Sequence, residues 1–201
     1  MTPAHWRTHF ESSEIAELRA ISDGRGWLAL ATDLGLIAGA MVLVGWHPTV
    51  WTAAFALVLI GGRQLGLAVI VHEAAHHTLF RNRALNNWVG NWLAAYPIYL
   101  GVEMYRRHHL DHHGKTWSEG DPDLPLAQGF PVSKASMARK LARDLFGLTG
   151  LKQLIGTTLV AVQTLRGRKV DTGTLPLRPD PRSMSRMLAG FVLTNLSLIH
   201  I

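Results

Sequence analysis

The sequence predicts an all-α integral membrane protein: a transmembrane helical hairpin with cytoplasmic histidine-bearing helices, and the start of a further transmembrane helix at the C-terminus. Three observations carry this prediction. The chain is 48% hydrophobic and only 17% charged, with a mean hydropathy of +0.12. Two apolar runs of about 20 residues, each long enough to cross a bilayer, follow one another with a short turn between them. Seven of the 11 histidines lie between His72 and His113, in two clusters with helical spacing.

Composition limits the domain organisation and the kinds of partner. A chain of 201 residues fits one domain, which we place at residues 27–201 as a membrane domain, after a cytoplasmic N-terminal segment at 1–26. The net charge of +6 suggests nucleic acid at first, but the basic residues flank apolar segments, so no nucleic-acid partner is expected. The absence of cysteine excludes thiolate zinc sites and iron–sulfur clusters within this chain, which leaves histidine and carboxylate as metal ligands.

The hairpin is predicted from residues 27–46 and 50–71, joined by the uncharged turn at 47–49. Each span contains one charge, Asp33 in the first and Arg63 in the second, and a packing role is favoured for Arg63 over contact with a substrate headgroup. An arginine inside a membrane faces protein or water rather than lipid, so Arg63 is expected either to extend its charge toward the interface or to pair with Asp33.

The distribution of basic residues predicts the orientation of the hairpin. The turn carries no lysine or arginine, whereas the segments on the other side of the membrane carry Arg7, Arg19, Arg25, Arg81, Arg83, Arg106, Arg107 and Lys115. Positive charge is retained on the cytoplasmic side, so both ends of the hairpin, and the histidines, are expected there.

Residues 85–102 are apolar but are interrupted by asparagines and by Pro97. If they crossed the membrane, the two histidine clusters would lie on opposite sides, so we predict an interfacial or re-entrant helix. Its aromatic residues are interpreted as anchors at the membrane interface, with the lining of a substrate slot as the alternative: Trp88, Trp92, Tyr96 and Tyr99.

Beyond residue 120 the pattern predicts a turn at Asp121 and Asp123, a basic amphipathic helix capped by Ser133, and a second helix at 151–165. Basic amphipathic helices are typical of packing on a membrane surface or on the cytoplasmic cap of the domain. Residues 187–201 are apolar but too short to cross, so a third span is expected to begin there and the sequence looks cut.

The two histidine clusters predict a metal site. His72 and His76 share one helical face, and His109, His112 and His113 share another, so two facing helices would surround a metal with imidazoles. The predicted ligands are His72, His76, His77, His109, His112 and His113. Carboxylates placed to accept hydrogen bonds from the ligand rings are Glu73, Asp111, Asp121 and Asp123, although a turn explains the last two equally well.

A zinc protease is the main alternative. Residues 72–76 read HEAAH, which matches the HExxH motif in which two histidines bind zinc and the glutamate acts as general base. A single zinc needs one further ligand, however, and leaves the second cluster without a role.

The clusters resemble the membrane fatty acid desaturase family. HEAAHH at 72–77 is similar to the family's first histidine box, HLDHH at 109–113 to its second box, and the following GDPD at 120–123 to the stretch after that box. The resemblance implies four transmembrane helices, two iron ions held by histidines, O₂ as co-substrate and a ferredoxin- or cytochrome b5-type electron donor. It implies double-bond formation in a fatty acid or lipid acyl chain, or hydroxylation or ketolation of a lipid or carotenoid by related sites.

One departure from the family pattern matters. The family has a third histidine box, whereas His200 is the only histidine after His113 in this sequence. The chain alone is therefore expected to bind iron incompletely and not to turn over, and an inactive truncated relic is a further alternative.

Overall fold

The structure is a computed structural model that describes residues 9–170, 172, 175 and 177–199, with side chains described up to residue 196. All regular elements in that part of the chain are helical. The α-helices are α1 (Ser12–Leu18), α2 (Asp23–Trp46), α3 (Val50–His76), α4 (Arg83–Val89), α5 (Val102–Lys115), α6 (Leu124–Ala127), α7 (Lys134–Leu145), α8 (Leu148–Leu165) and α9 (Pro181–Ile199).

The predicted hairpin is confirmed as α2 and α3, which are long and apolar enough to cross a membrane. Both are longer than the sequence suggested: α2 begins four residues earlier, and α3 continues through the first histidine cluster to His76. The turn is closed by Thr49, whose hydroxyl accepts a hydrogen bond from the Thr52 N–H at 3.1 Å and so caps α3.

The two charges inside the hairpin pair with each other. Arg63 Nη1 donates to Asp33 Oδ1 at 2.9 Å, and Asp33 is buried between the helices. The carboxylate lies directly against the backbone of Gly66, where a Cβ would clash with it. The absence of a side chain at Gly66 thus makes room for the pair.

The interfacial or re-entrant placement of residues 85–102 stays a prediction, but these residues do not form one regular helix. Instead, α4 continues into a wide π-helical turn at Gly90–Ala95 and a 3₁₀ turn at Tyr96–Ile98, after which the chain reverses into α5. Pro97 lacks an N–H and Tyr99 adopts a left-handed conformation at φ 60°, so a straight α-helix cannot pass through this segment. The segment packs across the end of α3, and Gly90 approaches Ala74 so closely that a Cβ would lie 2.6 Å from that of Ala74.

Two apolar clusters hold the helices together. The first joins α2, α3, the π-helical turn and the start of α5, and is built around Leu30, Val71, Phe80 and Val102. The second joins α5, α8 and α9 around Met104, Val160 and Met187. Tyr96 belongs to this second cluster and is 6% exposed, so the interpretation of Tyr96 as an interfacial anchor is wrong.

The C-terminal half contains the predicted amphipathic helices. Ser133 caps α7 by accepting a hydrogen bond from the Ser136 N–H at 3.2 Å, as expected. Residues 187–199 are helical within α9. Only α2 and α3, among the described helices, are by themselves long and apolar enough to cross a membrane, so a third span at α9 stays a prediction.

Candidate metal centre

Two helices bring four histidines together. His72 and His76 lie on the last turns of α3, and His109 and His113 lie on the facing side of α5. One ligand atom from each of these residues lies within 4.8 Å of all the others. These four histidines, which we call the histidine group, therefore could hold one metal ion between them.

The distances within the histidine group fit metal ligation. His109 Nε2 lies 2.9 Å from His76 Nε2 and 3.0 Å from His113 Nε2. Two imidazole nitrogens bound to one metal at about 2.1 Å, at a right angle or a tetrahedral angle, are separated by about 3.0–3.4 Å. A neutral His109 has one lone pair and cannot accept good hydrogen bonds from both neighbours, so a shared cation accounts better for three converging Nε2 atoms.

The rings are oriented by partners on their other nitrogen. His72 Nδ1 lies 3.1 Å from Glu73 Oε1, and His109 Nδ1 lies 3.4 Å from the Tyr105 hydroxyl. A proton on each Nδ1 leaves the Nε2 lone pair directed at the metal position. Burial, followed by the nearby His72 and His113, lowers the pKa of His109 to about 4, so this ring is neutral at pH 7 as ligation requires.

Two predicted ligands lie beside the histidine group rather than in it. His77 ends α3 in a left-handed conformation with its Nδ1 3.5 Å from Arg106 Nη2. The His112 ring centroid lies 5.7 Å from that of His113, and His112 Nδ1 contacts Asp121 Oδ1 at 2.7 Å. That hydrogen bond raises the pKa of His112. It occupies Nδ1, so Nε2 is the ring nitrogen that a metal could bind.

Three of the four predicted carboxylates contact histidine rings. Besides Glu73 on His72 and Asp121 on His112, Asp123 Oδ1 lies 2.7 Å from Nε2 of His108. Burial raises the pKa of Asp121, but hydrogen bonds from His112 and from the backbone N–H groups of Asp123 and Trp117 outweigh it and lower the value to about 2.

Asp111 is the exception, and the expectation that it would orient a ligand is not met in the structure. It lies on the face of α5 away from the histidine group and pairs with Lys115 and Arg178. The reason is its position two residues after His109, which is about 200° around a helix.

Sequence reasoning missed Arg106, which connects the two histidine-bearing helices. Its Nε donates to the Ala75 carbonyl at 2.8 Å, and its Nη2 donates to the Ala74 carbonyl at 2.7 Å and to Asn87 Oδ1 at 2.7 Å. Ala74 and Ala75 are fully buried, so these last carbonyls of α3 need such donors. A sequence signal existed, because Arg106 lies three residues before His109 on nearly the same helical face.

A groove of about 650 Å³ opens beside His112 and the segment that follows α5. His112, Asp121 and Asp123 form its polar side, and apolar side chains, Trp117 and Phe130 among them, form the rest. The carboxylate-bound His112 is thus accessible from this groove.

The fatty acid desaturase family model matches residues 48–199 of this chain, which include both histidine clusters and the helices that carry them. The chain belongs to the fatty acid desaturase family. The predicted recognition is therefore confirmed, and the structure adds that the two boxes meet in space.

Individual relatives match shorter stretches. Dihydrorhizobitoxine desaturase of Bradyrhizobium elkanii is 36% identical over 118 residues, which is 56% of this chain and 32% of the relative. The sn-1 acyl-lipid omega-3 desaturase (ferredoxin) of Synechocystis sp. is 30% identical over 84 residues, which is 42% of this chain and 23% of the relative. Beta-carotene 4-ketolase 3 of Haematococcus lacustris is 31% identical over 84 residues, 41% of this chain and 26% of the relative.

The matched stretches thus cover only about a quarter to a third of these relatives' length. No solved structure matches the chain.

Proposed function

We propose that this chain provides the first two histidine boxes of an O₂-dependent di-iron desaturase that introduces a double bond into a fatty acid or lipid acyl chain. The convergence of His72, His76, His109 and His113 within 4.8 Å carries the proposal. Membership of the desaturase family selects this redox chemistry over the zinc protease alternative.

In this proposal the histidine group holds one iron. His77 and His112 lie beside it and supply ligands toward the second iron, together with residues outside this chain. When bound, the two irons supply the activation of O₂ that removal of hydrogen from an unactivated methylene group requires.

The chain's own side chains prepare and hold the ligands. Tyr105 and Glu73 keep a proton on Nδ1 of His109 and His72, so that each Nε2 can bind metal. Asp121, ionised at pH 7, holds His112 with Nδ1 toward the carboxylate. Arg106 fixes the end of α3 against α5 and so sets the position of one histidine pair relative to the other.

The electron donor is proposed to be a small soluble carrier of the ferredoxin or cytochrome b5 type that docks on the cytoplasmic side. The name of the Synechocystis relative specifies ferredoxin, which supports a donor of the ferredoxin type.

The ketolase relative favours a second candidate function. It shares 31% identity over 84 residues, so an oxygen-inserting reaction on a lipid or carotenoid by the same metal site is the alternative. Product analysis separates the two, because a desaturase adds a double bond and a ketolase adds oxygen.

The test uses the protein expressed from its complete gene and purified in lipid. We expect elemental analysis to find iron in the protein and mass spectrometry to find new double bonds in the host's lipids. We expect both to be lost in His76→Ala and His109→Ala. His47→Ala, in the turn on the far side of the hairpin, is the matched control and should retain the iron and the new double bonds. Zinc in place of iron, or unchanged iron in both variants, would contradict the proposal.

A further inference from the structure

Helix α7 has an apolar face that the described part of the protein does not cover. None of its residues is buried, although it packs against α8. Leu141 is 59% exposed and Leu145 is 83% exposed, and at the corner before α8 Phe146 is 76% and Leu148 is 54% exposed. A contiguous exposed surface of large apolar side chains marks an interaction site.

Basic residues occupy other faces of this helix. Arg139 and Arg143 are four residues apart on α7 and lie about 120–160° around the helix from Leu141 and Leu145. Lys134 and Lys140 add two further positive charges, and Asp144, which pairs with Lys140 at 2.7 Å, is the one acid in the helix. A helix with one apolar face and a basic polar face is the arrangement of a helix that lies in the interface of an anionic membrane.

The described structure favours one of the two interpretations that the sequence left open. Packing on the cytoplasmic cap of the domain would bury the leucines of α7, and no part of the described residues covers them. Together α7 and α8 are long and apolar enough for a broken span, but they are bent by 69° relative to each other. The four basic residues of α7 oppose a membrane-spanning path for α7 itself. Because α2 and α3 already place the chain in a membrane, a bilayer surface is within reach of α7.

We infer that α7 is an anionic-lipid docking helix. Leu141, Leu145 and Phe146 enter the interfacial layer of the bilayer, and Arg139 and Arg143 extend from the polar face to the lipid phosphates. The docked helix holds the segment that follows the second histidine box against the membrane. This role is independent of the redox chemistry proposed above.

This chain contains no cysteine, and any cysteine that the complete gene encodes outside it is first replaced by serine, so each introduced cysteine is a single labelling site. Leu145→Cys places an environment-sensitive fluorophore on the apolar face, and Lys140→Cys places it five residues away, about 140° around the helix. Both positions are exposed, so neither substitution should disturb folding. The protein from the complete gene is reconstituted in nanodiscs of phosphatidylcholine with or without phosphatidylglycerol, and each probe is quenched by brominated lipid or by aqueous iodide.

At Leu145→Cys we expect blue-shifted emission and quenching by brominated lipid, stronger with phosphatidylglycerol and weakened by salt. At Lys140→Cys we expect quenching by iodide. The substitutions Arg139→Gln and Arg143→Gln should each lower the ratio of docked to undocked helix by roughly 5-fold in anionic nanodiscs at low ionic strength.

Three results would overturn the inference. Equal iodide access at both positions in both lipids would mean that α7 is in water. Shielding of the Leu145→Cys probe from both quenchers, in detergent as in lipid, would mean that protein covers the face. Lipid quenching that is unchanged by phosphatidylglycerol and by both arginine substitutions would show that docking does not depend on anionic lipid.

Discussion

At the scale of single residues, the metal centre depends on side chains that never touch the metal position. Arg106 is the clearest case, because its planar guanidinium reaches two buried carbonyls of α3 and the Asn87 side chain together. Asn86 adds a second donor to the Ala74 carbonyl at 2.9 Å. These bonds set the axial position of His72 and His76 relative to the histidines of α5.

Arg106→Lys should weaken metal binding while the protein remains folded. Lysine keeps the charge but cannot donate to both carbonyls at once, so the two helices lose their fixed register. We expect the affinity for Co²⁺ or Fe²⁺ to fall roughly 10- to 100-fold, as is common for groups that orient ligands. Titration of the metal-free protein, followed by the Co²⁺ absorption spectrum, measures this change.

Arg107→Lys is the matched control for that experiment. Arg107 is the next residue on α5, but it contacts the Arg178 carbonyl and Asp180, on the side that faces α9. Its replacement should leave metal affinity and spectrum unchanged. Equal losses in the two variants would show that Arg106 acts only through general stability.

At the scale of the helices, α2 and α3 are held by a charged pair as well as by apolar packing. Asp33 is 6% exposed and contacts Arg63, so removal of either partner leaves a charge without its counter-ion in an apolar environment.

Asp33→Ala should therefore destabilise the hairpin by about 3–5 kcal/mol. The double variant with Arg63→Leu should recover much of that loss, because no uncompensated charge remains. Thermal unfolding in a fixed detergent or nanodisc compares the variants. A double variant no more stable than Asp33→Ala would show that the pair does not account for the loss.

Gly90 allows the π-helical turn to pack on the end of α3. Gly90→Ala would bring a Cβ to 2.6 Å from the Ala74 Cβ and 3.2 Å from Val102 Cγ2. We expect a destabilisation of about 1–3 kcal/mol from overpacking, and weaker metal binding because Ala74 lies between His72 and His76. Unfolding and Co²⁺ titration test both effects, and Gly150→Ala in α8, where a Cβ meets nothing within 4 Å, should show neither.

At the scale of the whole molecule, the hairpin carries a candidate metal centre, the histidine group, at the end of α3. The two boxes follow one another on α3 and α5, and the short segment between them turns the chain back without crossing the membrane in our proposal. The histidine group and the turn at residues 47–49 should then lie on opposite sides of the bilayer.

Single cysteines test this orientation. Val50→Cys, 79% exposed beside the turn, should react with a membrane-impermeant maleimide added outside intact cells. Glu119→Cys, in the exposed segment after the second box, should react only after the cells are opened. The reverse pattern would invert the proposed topology, and labelling of both from one side would show that the hairpin does not span.

The site was predictable to the extent that it depends on local spacing. His72 with His76, and His109 with His113, are pairs four residues apart, so the helical period alone places each pair on one face. The contacts of Glu73 with the His72 ring and of Asp121 with the His112 ring also followed from proximity in sequence. Arg106, by contrast, acts on carbonyls 31 and 32 residues away, and no local pattern shows which backbone groups are left without partners.

The sequence by itself determined the helical class, the membrane hairpin, the two histidine faces and the family, because each rests on composition or on a period within one segment. Only the tertiary structure decided that four histidines converge, that Asp111 faces away, that residues 85–102 break into three short pieces, and that Tyr96 is buried against α9. These outcomes depend on how helices distant in sequence pack together. The local sequence pattern is compatible with several packing arrangements and does not distinguish between them.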